Sequence, residues 1–201
     1  AFRTALELDG MNIPALEGMA GAMSASGDYE TSADLLERLL EAEPSYRPAF
    51  APLIEALDMS GRRGEALERA SDLSGMDPGH RALSLEFGSL LEAAGLPDSA
   101  LAVYARAIPA GPSGTEFHRR IGLLREDRGE FGLAIKTYRD AIESDPSDSW
   151  AYGELGWCFE AVGRDDLAME LYLEGLGVDP DYSWAAYRAG LLVQNQGLPD
   201  S

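Results

Sequence analysis

One interval governs this chain. Gly27, Gly61, Gly95, Gly129, Gly163 and Gly197 stand 34 residues apart, and Pro44, Pro78, Pro112, Pro146 and Pro180 keep the same interval. Small residues follow it too, at Ser32, Ala66, Ala100, Ala134 and Ala168. Three residue classes in separate registers at one spacing mean that a single structural unit is copied along the chain. Such a unit is too short to enclose a core of its own, so it buries its apolar face by stacking on the next copy.

The unit is legible within one copy. Between Ser149 and Tyr182, the residues Tyr152, Leu155, Gly156 and Phe159 fall at i, i+3, i+4 and i+7, one face of a helix. Gly163 then supplies the left-handed backbone that ends it. Asp165 and Asp166 open a second helix at its positive end. Leu167, Met169, Leu171, Tyr172 and Leu176 give that helix an apolar side, and Pro180 stops it. Each copy is expected to be a helix–turn–helix hairpin, and the fold all-α.

This pattern resembles the tetratricopeptide repeat, a 34-residue helical hairpin with large, small, glycine, alanine, aromatic and proline residues at fixed places. Residues 115–148 carry it as Ile121-Gly122, Gly129, Ala134, Tyr138, Ala141 and Pro146, and residues 81–114 as Phe87-Gly88, Gly95, Ala100, Tyr104, Ala107 and Pro112. The resemblance implies a right-handed superhelical solenoid of antiparallel hairpins, one continuous array over residues 1–201. Full repeats are expected at 13–46, 47–80, 81–114, 115–148 and 149–182. The end of a preceding repeat is expected at 1–12, and the first helix and turn of a further one at 183–201. The copy at 47–80 departs most: Pro52 lies in its first helix, Ala70 replaces the large aromatic, and Ser74-Gly75 should weaken the end of its second helix. Pro52 is tolerated if it falls in the first turn. No polar capping helix is visible at either end, so the chain is expected to be a window on a longer solenoid.

Composition narrows the function. The chain is 45% hydrophobic and 25% charged, in keeping with a soluble folded segment, and no apolar run approaches the length of a membrane helix. Its net charge of −19 disfavours nucleic acid and favours basic partners, although acidity also serves solubility alone. Lys136 is the only lysine. One cysteine excludes an internal disulfide or a cysteine-based metal cluster, and it leaves the compartment open. His80 and His118 lack metal-ligand spacing. No nucleophile, phosphate-loop, dinucleotide or zinc-protease motif is present. No catalysis and no cofactor are expected, and function has to reside in a surface.

In arrays of the family resembled, the first helix of each hairpin lines the concave face. Repeat positions 2, 5, 9 and 12 form a stripe along it. Position 12 reads as an acidic ladder, Asp58, Glu92, Glu126 and Glu160. Toward the C-terminal end the stripe turns aromatic and apolar, with Trp150, Trp157, Trp184, Tyr187 and Leu191. Gly153 leaves a gap between Trp150 and Trp157 that Tyr187 is placed to face. The geometry is that of an aromatic-walled groove with an acidic edge, suited to a protein or peptide carrying basic and apolar anchors. The competing readings are that the large rings pack between hairpins, that the ladder is a solvated face, or that the surface self-associates.

The lysine, arginine and asparagine clamp of the chaperone-binding arrays is not assembled on this face. Nor is the asparagine ladder of the arrays attached to O-linked sugar transferases. Cys158 shares repeat position 10 with Ala22, Ala56, Leu90, Leu124 and Leu192, and is expected to be core. His118 is expected to be a packed ring. Arg125, at an otherwise apolar position, is expected either to reach solvent or to pair with Glu126 or Glu160. The leading expectation is a non-catalytic protein-interaction scaffold. The alternatives are a substrate-recruiting or regulatory region of an enzyme whose catalytic domain lies outside this window, and a self-assembling structural subunit.

Overall fold

The computed structural model describes residues 2–108 and 114–196. It is α-helical, without a strand among the described residues. The chain packs as two compact units, residues 1–107 and 108–201.

The first unit holds α1 (Phe2–Leu8), α2 (Ile13–Ala25), α3 (Tyr29–Ala42), α4 (Phe50–Met59), α5 (Arg63–Met76), α6 (Arg81–Ala93) and α7 (Pro97–Ala107). Consecutive helices pair as hairpins, α2 on α3, α4 on α5 and α6 on α7, and α4 also lies against α6. Leu16, Leu39, Phe50, Leu53, Ile54, Leu57 and Leu83 are all buried in one core that runs through this unit. The second unit holds α8 (Thr115–Asp127), α9 (Phe131–Ser144), α10 (Ser149–Ala161), α11 (Asp165–Val178) and α12 (Ser183–Gln196). Its core gathers around Tyr138, Leu155 and Cys158, and around Tyr172, Ala185 and Leu192.

The glycine interval has a conformational cause. Gly27, Gly61, Gly95, Gly129 and Gly163 have φ between 70 and 83°. Side-chain-bearing residues avoid that region. Around each, the chain closes the preceding helix with a bond from the next residue's N–H back five residues, as in Asp28 N–H to the Met23 carbonyl (2.9 Å) and Arg164 N–H to the Phe159 carbonyl (2.8 Å). This is the glycine C-cap that satisfies the last carbonyls of a helix. Pro112 and Gly197 lie outside the described residues.

Helix starts are capped by different means. The Asn12 side chain accepts from Ala15 N–H and the Asp28 side chain from Thr31 N–H. His80 does the same for α6. Its Nδ1 accepts from Leu83 N–H (3.0 Å), which leaves the proton on Nε2 to donate to the Arg47 carbonyl (3.1 Å).

The copy at 47–80 is irregular at its start. A 3-10 turn at Arg47–Ala49 leads into α4, and Pro52 sits exposed in the first turn of α4. Its second helix runs through Ser74-Gly75 to Met76. Ser74 is buried, and its hydroxyl accepts from the Arg106 guanidinium (2.7 Å), which holds that end of α5 against α7.

Inside the hairpins one exchange recurs. Gly88, Gly122 and Gly156 each lie under a fully buried tyrosine, Tyr104, Tyr138 and Tyr172, and a Cβ at any of the three would overlap the ring. In the irregular copy the bulk has changed sides: Ile54 stands where those glycines stand, opposite Ala70, and both are buried. The swap keeps the volume but removes the phenol. No helix of the described residues is long and apolar enough to cross a membrane.

Candidate functional site

The tyrosines bear directly on the acidic ladder. The Tyr104 hydroxyl donates to Glu92, Tyr138 to Glu126, and Tyr172 to Glu160 (2.8 Å). Each carboxylate on the first helix is therefore held by the second helix of its own hairpin. Asp58, opposite Ala70, has no such phenol and instead pairs with the half-exposed Arg63 (2.7 Å). Burial raises the Glu126 carboxyl above its ordinary range, with the Tyr138 hydrogen bond opposing it. Burial and the Glu126 carboxylate push the Tyr138 phenol up in turn.

The aromatic residues divide. Trp150 on α10 meets Tyr138 of α9 edge-on, centroids 5.5 Å apart at 77°. Trp184 on α12 meets Tyr172 of α11 in the same way, 5.9 Å at 86°, and stacks on Tyr182 at 6.2 Å. Both tryptophans thus pack on the tyrosine of the preceding hairpin, an edge-to-face contact that adds to simple burial. Trp157 has another neighbour: the Arg188 guanidinium lies 4.6 Å from its ring centroid. Arg188 also binds Glu160, which joins α12 to α10. Arg119 of α8 covers Trp150 in a similar manner at 4.3 Å. The Nε atoms of Arg119 and Arg188 are buried without a hydrogen-bond partner, and the cation–ring contact offsets part of that loss.

The gap left by Gly153 is filled, but not by Tyr187. Tyr182, from the turn before α12, brings its hydroxyl to 2.5 Å from where a Gly153 Cβ would stand. Tyr187 is 63% exposed, and Leu191 is half-buried beside it on α12. Tyr182 escapes a reading of the stripe because it belongs to a turn.

Cys158 is fully buried, as expected of a core residue. Its thiol lies 3.5 Å from Glu126, and burial, with that carboxylate, pushes its pKa up, which disfavours the reactive thiolate. His118 is also buried, donating from Nδ1 to the Gly114 carbonyl (3.1 Å), and burial lowers its pKa. Arg125 takes neither expected course. It crosses to α9, where it donates to the Leu133 carbonyl (3.1 Å) and the Thr137 hydroxyl. The buried Thr137 offers an oxygen that a hydrophobic residue there would not.

Glu154 is not among the stripe residues, yet it is the most perturbed acid of this face. Burial and the Glu126 carboxylate together push its pKa up to about 7, against the opposing pull of Arg119. Among the described residues, no group of three or more histidine, cysteine or acidic side chains is placed to hold a metal ion.

Comparison with known proteins agrees with this architecture. The tetratricopeptide repeat family matches residues 119–183, and the bacterial transcriptional activator domain matches residues 2–93. No curated protein matches the chain. Among solved structures, YrrB, a tetratricopeptide protein with an unusual peptide-binding site, is 21% identical with a TM-score of 0.65, over 93% of this chain and 96% of that one. MamA is 20% identical with a TM-score of 0.69, over 87% of this chain and 95% of that one. A thermophilic tetratricopeptide protein of Thermus thermophilus is 20% identical with a TM-score of 0.56, over 90% and 99%. At these identities the likeness is one of fold, an all-α solenoid of stacked hairpins. That fold, and the family match over residues 119–183 of the second unit, support a repeat protein of the tetratricopeptide kind.

Proposed function

We propose that the chain is a non-catalytic scaffold that binds a partner polypeptide along the face lined by α8, α10 and α12. Trp157 carries the reading. It shares that face with Leu191 and the exposed Tyr187, and where Trp150 and Trp184 pack on a tyrosine of the preceding hairpin, its ring is met by Arg188. A part-buried indole flanked by an arginine and further apolar surface is the composition of an interaction hot spot. The partner expected is a peptide with apolar and basic anchors, the basic ones drawn by the −19 net charge. The peptide-binding neighbour YrrB supports the same class of activity.

Selection from a random peptide display library on the intact chain tests this. Peptides rich in apolar and basic residues should be enriched. Trp157→Ala should lower their affinity about tenfold or more with unchanged helicity. Equal binding by the variant would remove Trp157 from the site. A second reading has its own support: the match to a bacterial transcriptional activator domain over residues 2–93 favours a regulatory array whose effector domain is a separate part of the protein.

A further inference from the structure

The acidic ladder differs in one place, and a cleft lies there. Between α4 and α6 of the first unit is a cavity of about 130 Å³. It is lined by the buried Ile54 and Leu90, the exposed Met59, and the acidic residues Glu55, Asp58 and Glu86. In the hairpins with a tyrosine, the ladder carboxylate is turned to that phenol. Here Ala70 and Ile54 have replaced tyrosine and glycine, and both Asp58 carboxylate oxygens accept from the half-exposed Arg63 instead. Ion pairs at the surface contribute about 0–1 kcal/mol.

We propose that this cleft receives a lysine or arginine side chain of a partner polypeptide. A lining of apolar and acidic residues matches a side chain with an aliphatic stem and a charged tip. A bare metal ion fits less well, since the lining acids do not form a metal-binding group. The volume change at Ile54 and Ala70 thereby does two things: it preserves the core, and it leaves Asp58 to a surface arginine, which a basic side chain of the partner would have to displace. The proposal rests on the peptide-binding reading above, and it adds a site for a basic side chain within the first unit.

The test is methyl and indole NMR of the intact chain. It is titrated with a capped Gly-Leu-Arg-Leu-Gly peptide and with the same peptide carrying uncharged citrulline for arginine. The expected result is shifts at the Ile54, Met59 and Leu90 methyls with the arginine peptide. Affinity should fall about tenfold with citrulline, and by a similar factor in the Glu55→Gln/Glu86→Gln protein or in Asp58→Asn. Circular dichroism checks that these surface variants stay folded. Equal binding of both peptides, or shifts absent from these methyls, overturns the cleft. If only the Trp157 indole responds, the cleft fails and the α8–α10–α12 face stands. If only the cleft methyls respond, the cleft stands and Trp157 loses its role. If neither responds, both assignments fail.

Discussion

A carboxyl group kept half out of water beside another carboxylate is a liability that pH exposes. Glu154 has a folded-state pKa of about 7 against an ordinary 4.5. Between those values the folded chain holds a proton that the unfolded chain releases. Stability from this group is therefore greatest below about pH 4.5 and is lost as pH rises through about 7. Glu154→Gln removes the charge and keeps the shape. Urea unfolding should show the variant more stable than the parent at pH 8, by on the order of 1–3 kcal/mol, with the gap closing toward pH 4.5. A constant gap across that range would mean that Glu154 is solvated. At the same scale, the sequence could place Trp150, Trp157 and Trp184 on one stripe but not tell packing from exposure. A ring at the edge of a helix can roll either way, and the tyrosines that decide it sit on other helices. Tyr182, which fills the space over Gly153, comes from a turn with no stripe position at all.

The hairpin is the unit in which the sequence was most readable. Its turns depend on glycine at positive φ, and that need is local, so the 34-residue interval showed it directly. The ladder was harder because its partners lie on the paired helix, although the signal was present. Glu92, Glu126 and Glu160 each have a tyrosine twelve residues on, and Asp58 has Ala70. Read as pairs, these positions announce a hydrogen bond in three copies and its loss in a fourth. The bulk exchange can be tested by transplanting it. In the hairpin of α8 and α9, Gly122→Ile alone should clash with Tyr138 and Tyr138→Ala alone should leave a cavity, each costing about 3 kcal/mol or more. The double variant, which copies Ile54 and Ala70, should recover a good part of the summed loss, less the hydrogen bond to Glu126. Thermal denaturation of the four proteins gives the coupling energy. Strict additivity would show that the glycine and the tyrosine are independent.

On the scale of the whole molecule the dominant fact is charge. With 35 acidic residues against 16 basic ones, folding gathers like charges that an extended chain keeps apart. Arginine ion pairs such as Arg69–Glu37 and Arg188–Glu160 relieve this locally, but they are too few to balance the excess. Added salt screens the remainder over a distance of about 10 Å at 0.1 M. Stability and recognition should consequently respond to salt with opposite signs. From 20 to 300 mM sodium chloride the melting temperature should rise by a few degrees, while affinity for a basic peptide should fall several-fold. The same excess repels phosphate, so the chain by itself should not retain duplex DNA at 150 mM salt. Calorimetry and fluorescence polarisation over one salt series separate the terms. If the melting temperature falls with salt, attractive ion pairs outweigh the net repulsion. If peptide affinity is unchanged, binding is apolar and the acidic surface serves solubility alone.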